Sequence, residues 1–213
     1  MRNARGKNIL KLGAKMKFYL KKAIVGLAYL LFSAVTAYAI LFIPDLVGLK
    51  IALLVLNLSL YCYVLAVTAF QDGQAAYKVR LANDLNRKQI ILTGDDIPLD
   101  TQKEYKHYKG FVIGLIICIP VIVLIGIHAI LMATNSSNQD FGLVASYIYM
   151  MVYAFAGLHV KVENLFNVVS PYWNLLAIPV IILVQGVFFY LGGRKIELQQ
   201  EMIREKHRMI HGE

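Results

Sequence analysis

The chain is short of charge where it is most apolar. Five apolar runs, 23–43, 49–70, 111–133, 141–160 and 175–191, contain no Asp, Glu or Arg, and their one lysine, Lys50, stands at the edge of the second. Ion-coupled transporters usually carry carboxylates inside their spans, because a charge in hydrocarbon is tolerated only where it works. The scarcity counts against that class. Catalytic signatures are missing too: there is no HExxH, no GxSxG, no Walker A sequence and no dinucleotide fingerprint. No Cys/His cluster has metal-ligand spacing, so no cofactor or metal is expected. Cysteine is reduced to Cys62 and Cys118, both inside apolar runs, where they read as packing residues and not as a disulfide. Acid is absent from the first 22 residues.

What remains is hydrocarbon and basic edges. Of 213 residues 58% are hydrophobic and 16% charged, with a mean hydropathy of +0.58. A soluble domain of this size needs more polar surface, so the expected class is all-α: a polytopic helical membrane protein with four to six membrane-embedded segments. The formal net charge of +9 collects in 1–22, in the centre and in the tail. Basic clusters beside apolar spans mark the cytoplasmic side and contact with anionic lipid. No nucleic-acid motif accompanies the charge, and nucleic acid is not an expected partner.

In chain order, residues 1–22 place Ile9, Leu12, Met16 and Leu20 on one helical side and Lys7, Lys11, Lys15 and Lys22 opposite. The pattern fits an interfacial helix whose lysines touch lipid headgroups, or lysines that only hold this end inside. Residues 23–70 form a transmembrane hairpin around Pro44, Asp45 and Gly48. Ala37-Tyr38-Ala39 resembles a signal-peptidase site, but the apolar run continues past it, which indicates an uncleaved span.

The polar segment 71–110 is expected on the cytoplasmic side. Gln71-Asp72-Gly73 suggests a helix break, and 74–92 has a mixed helical pattern. Thr93 to Asp96 forms a turn, with Asp95-Asp96 read as solvated, and Thr101 with Glu104 matches a capping box leading into the next span. Tyr105 and Tyr108 are expected at headgroup level.

Residues 111–193 form a second transmembrane block with a re-entrant or doubly spanning candidate at 141–174, and 194–213 a charged helical tail. Five plain crossings would separate the chain's two ends. The basic tail and the nearly uncharged 161–174 loop favour an even number, with both ends cytoplasmic in the cell membrane.

Polar residues in apolar runs are the site candidates: Asn57, His128 and Gln185, with His159 and Glu163 at the edge of the fourth run. Three functions follow. The first is a non-catalytic component (scaffold, assembly factor or accessory subunit) that meets a protein partner through 71–110 or 194–213. The second is a small transporter or channel for a neutral or weakly polar solute, with Asn57, His128 and Gln185 converging on one cavity. The third is a lipid-modifying enzyme with His128 or His159 as base.

Overall fold

The computed structural model describes residues 2–41, 47–95, 97–133 and 177–211. These residues hold four helices: α1 (Arg2–Leu41), α2 (Val47–Thr93), α3 (Lys109–Ala133) and α4 (Ala177–His211). Three stretches are long and apolar enough to cross a membrane, Met16–Thr36, Val55–Thr93 and Ile178–Ile210, and α3 adds a shorter apolar stretch, Lys109–Val123.

Residue pairings set the directions. Lys22 meets Asp72 and Ser33 meets Asn57, so α1 and α2 run antiparallel. Cys118 lies against Ile178 and Gly110 against Phe189, so α3 and α4 are antiparallel as well. Gly192 packs on Phe70 and Glu197 lies near Tyr77, so α2 and α4 run parallel. The start of α1 and the end of α4 therefore share one end of the bundle. α3 finishes, and α4 begins, at the other.

Small and branched side chains fill the interior: Ala23, Leu30, Ala34, Leu65, Ile113, Ile117 and Ile181. The outside is more apolar than a water-facing surface tolerates, with Phe32 and Tyr63 about two-thirds exposed. Such an inverted surface suits hydrocarbon.

Three expected boundaries move. Gln71-Asp72-Gly73 does not break α2, which runs for 47 residues, about 70 Å at 1.5 Å per residue. Gly192-Gly193 likewise lies inside α4. Gly73 and Gly192 serve close approach of one backbone to another, and Gly193 makes room for the Tyr105 ring; none of them makes a turn. The capping box at Thr101 does not form: 101–104 is a turn, α3 starts only at Lys109, and Glu104 is drawn to Arg87 of α2. The turn after Thr93 does form. Gly94 takes φ +74° and donates to the Ile90 carbonyl, as helix ends commonly require. The segment 141–174 lies outside the described residues.

Candidate functional site

The helices meet in a boundary layer where exposed apolar surface gives way to charge. α1 enters it at Lys22, α2 leaves it at Asp72, and the Lys22 Nζ donates to Asp72 Oδ1 at 2.5 Å. The pair is partly buried, with a third of the Lys22 side chain exposed. Beneath it is a cavity of about 130 Å³ that also takes in Thr68, Gln71 and Gln185. The Thr68 hydroxyl is spent on the Val64 carbonyl at 2.9 Å. Gln185 is 96% buried, and its Oε1 has no hydrogen-bond partner among the described residues. An unmet carbonyl of this kind is destabilising unless a donor such as water reaches it.

Beside the cavity α2 and α4 cross at glycines. A Cβ at Gly73 would overlap the Phe189 carbonyl, and one at Gly192 the Phe70 carbonyl. The hydrogens that occupy those positions therefore face carbonyl oxygens in reciprocal Cα–H···O contacts, the weak bonds typical of close helix pairs.

Above the crossing a strap, residues 97–108, folds back along α2. Asp100 N donates to Asn83 Oδ1 at 3.1 Å, and Arg87 forks onto both Glu104 oxygens at 3.0 and 3.2 Å. Lys109, 97% buried at the start of α3, donates from Nζ to the Gln102 carbonyl and, at 2.6 Å, to that of Glu104. Two strap carbonyls thus carry an ammonium that a helix N-terminus alone would repel. The Asp100 carboxyl sits below its ordinary range, chiefly because the Lys103 ammonium bonds it.

Tyr105 is the strap's anchor. Its N–H donates to the Ala76 carbonyl at 3.0 Å, and its ring stacks on Phe189 with centroids 5.6 Å apart. Its hydroxyl reaches the Tyr190 carbonyl at 3.4 Å. Burial first, then the neighbouring Tyr190 and Glu197, push its phenol up to about 12. A raised pKa means the folded state holds the proton more tightly. The contribution is therefore complete below about pH 10 and is lost as pH climbs toward 12. In a phenolate titration at 295 nm, the amplitude missing from Tyr105→Phe is expected near pH 12. Amplitude missing at pH 10 would place Tyr105 in water.

Of the sequence candidates, Asn57 and Gln185 are buried. Asn57 Nδ2 donates to the Ser33 carbonyl at 2.9 Å and lies 3.1 Å from its hydroxyl, bridging α1 and α2. It stands fifteen residues from Asp72, about 22 Å along the helix, and does not line the cavity of Gln185. His128 lies on α3, with its side chain outside the described set, and His159 and Glu163 lie wholly outside it. Lys7, Lys11 and Lys15 are on α1, whose side chains are described from Met16 onward, while Lys22 holds Asp72. Tyr108 is exposed at the boundary, but Tyr105 is buried in protein. Asp72, Tyr105, Lys109 and the paired glycines were not singled out as site residues. Asp72 had a legible signal, as the first acid after the second apolar run.

A groove of about 830 Å³ runs along the outer seam of α2 and α4, floored by Cys62, Ala66 and Val67 and flanked by Phe188. Gln71, Gln74 and Lys195 form its polar mouth. Among the described residues no three His, Cys, Asp or Glu cluster to hold a metal.

No family model, curated protein or solved structure matches the chain. The class is defined by the fold itself: the described residues form an all-helical fold, and three of their helices are long and apolar enough to cross a membrane, compatible with a membrane protein.

Proposed function

We propose that the chain is a non-catalytic, multi-pass membrane protein that holds a protein partner on a two-helix stalk. The carrying observation is at the stalk's tip. α2 and α4 continue past the boundary layer by 21 and 18 residues, roughly 30 Å beyond the reach of hydrocarbon. There Ile91, Leu92, Met209 and Ile210 are at least three-quarters exposed. Lipid does not cover side chains at that distance, and water is a poor neighbour for them; a partner surface is the natural cover. Leu198, Met202 and Met209 share one face of the tail, beside a charged row of Glu197, Glu201, Arg204 and Arg208, the pattern of a helix that docks by one side. Transport is less well supported, because Asn57 bridges two helices and does not share the cavity of Gln185.

The test is photo-crosslinking in native membranes from a reactive residue at Met209 and, separately, at Ile91. A discrete adduct from each is expected, with a several-fold loss of yield when Met202 is changed to Ser. Unchanged monomer at both positions would overturn the docking role.

A further inference from the structure

We propose that the groove between α2 and α4 is a binding site for one anionic phospholipid, its phosphate at the Lys195 mouth and an acyl chain laid along the floor. The inference rests on the membrane embedding proposed above and goes beyond it by naming a ligand and its seat.

The site's dimensions carry the first part. Its floor follows one face of α2, from Phe70 at the boundary layer down through Val67, Ala66 and Cys62 to Ser59. Those eleven residue steps make about 16 Å of helix, close to the ~15 Å depth of one leaflet, half of a ~30 Å hydrocarbon core. A chain entering at the mouth therefore stays against protein for the depth of its own leaflet. Small side chains form the floor, and Phe188 of α4 walls one flank.

Charge carries the second part. The acids nearest the mouth are already engaged: Asp72 with Lys22, and Glu197 with Arg194 at 2.6 Å. The Lys195 ammonium has no carboxylate partner among the described residues and lies 5.6 Å from the centre of the Phe70 ring, over the upper end of the floor. Gln71 and Gln74, one helical turn apart, add amide donors on the facing wall. A cation flanked by two amides at headgroup height matches a phosphodiester and leaves room for an anionic headgroup. A zwitterionic headgroup brings its own cation to the same place and loses the preference.

The full-length protein in vesicles supplies the test. Trp173, the one native tryptophan, is changed to Phe, and Val67→Trp places a reporter on the floor. Quenching is compared between vesicles containing brominated phosphatidylglycerol and brominated phosphatidylcholine. Phe32→Trp, on the exposed outer face of α1, serves as reference. It is expected to quench equally with both, which tests the embedding independently. At position 67 the anionic lipid is expected to win by about fivefold, the factor that corresponds to ~1 kcal/mol per surface lysine. Lys195→Gln is expected to bring the ratio to about one, and Lys206→Gln, far out on the tail, to leave it unchanged.

Quenching at position 32 without quenching at 67 means that protein covers the groove and overturns the proposal. So does a ratio of one in the parent, or a ratio that survives Lys195→Gln. Absence of quenching at both positions contradicts the membrane reading itself.

Discussion

Replacing Gly73 by leucine is expected to separate α2 from α4 and to destabilise the protein by at least about 3 kcal/mol, the upper end for overpacking a filled interior. A Cβ at this position would overlap the Phe189 carbonyl oxygen and stand 2.9 Å from its carbon and 3.1 Å from the Gly193 nitrogen. All three are backbone atoms of a continuous helix, so no rotamer change makes room. Even Gly73→Ala is expected to lower thermal stability, although alanine in a helix interior normally gains about 1 kcal/mol over glycine. Gly126, with no described atom within 4 Å of its would-be Cβ, is the control: Gly126→Ala is expected to be neutral or stabilising. Thermal unfolding in detergent, followed by near-UV circular dichroism, separates the cases. A Gly73→Ala protein as stable as the parent would mean that the two backbones do not touch.

The same glycine shows where the sequence ceases to be legible. Beside Gln71 and Asp72 it looks like a helix break, because local pattern knows glycine only as a residue of weak helix propensity. Its partner, Gly192, is more than a hundred residues away. Only the parallel packing of α2 on α4 turns two apparent breaks into one crossing. Thr101 and Glu104 fail for a related reason: the spacing suits a capping box, but Arg87 Nη2, donating to both Glu104 oxygens, draws that carboxylate away from the local motif. Three of the five apolar runs, by contrast, were legible from hydropathy alone and overlap stretches able to cross a membrane.

Of the site, half was within reach of the sequence. In an antiparallel hairpin whose apolar runs start at Ala23 and end at Phe70, the flanking residues 22 and 72 arrive at one height. Lys22 and Asp72 could have been paired on that ground. Asn57 and Gln185 stood out because amides are rare in such runs. Tyr105 and Lys109 did not, since both lie among other tyrosines and lysines in 103–109. Their burial depends on the strap folding back, which no periodicity encodes.

An impermeant maleimide applied to intact cells is expected to label Gly48→Cys and to spare both Lys17→Cys and Gln199→Cys until the membrane is opened. The background carries Cys62→Ala and Cys118→Ala, and all three probe positions are exposed. Two independent arguments lead to this all-or-none result. The parallel course of α2 and α4 puts Lys17 and Gln199 at one end of the bundle and Gly48 at the other. The charge distribution then orients that bundle: twenty of the twenty-two Lys and Arg residues belong to 1–22, 71–110 or 194–213, leaving Lys50 and Lys161. Under the positive-inside rule so steep a bias assigns the basic end to the cytoplasm. The outcomes separate the two arguments. Lys17 and Gln199 labelled together, with Gly48 protected, would keep the fold and reverse its orientation. Gln199 labelled while Lys17 stays protected would deny that α2 and α4 run parallel, and with it the glycine crossing, the groove and the stalk.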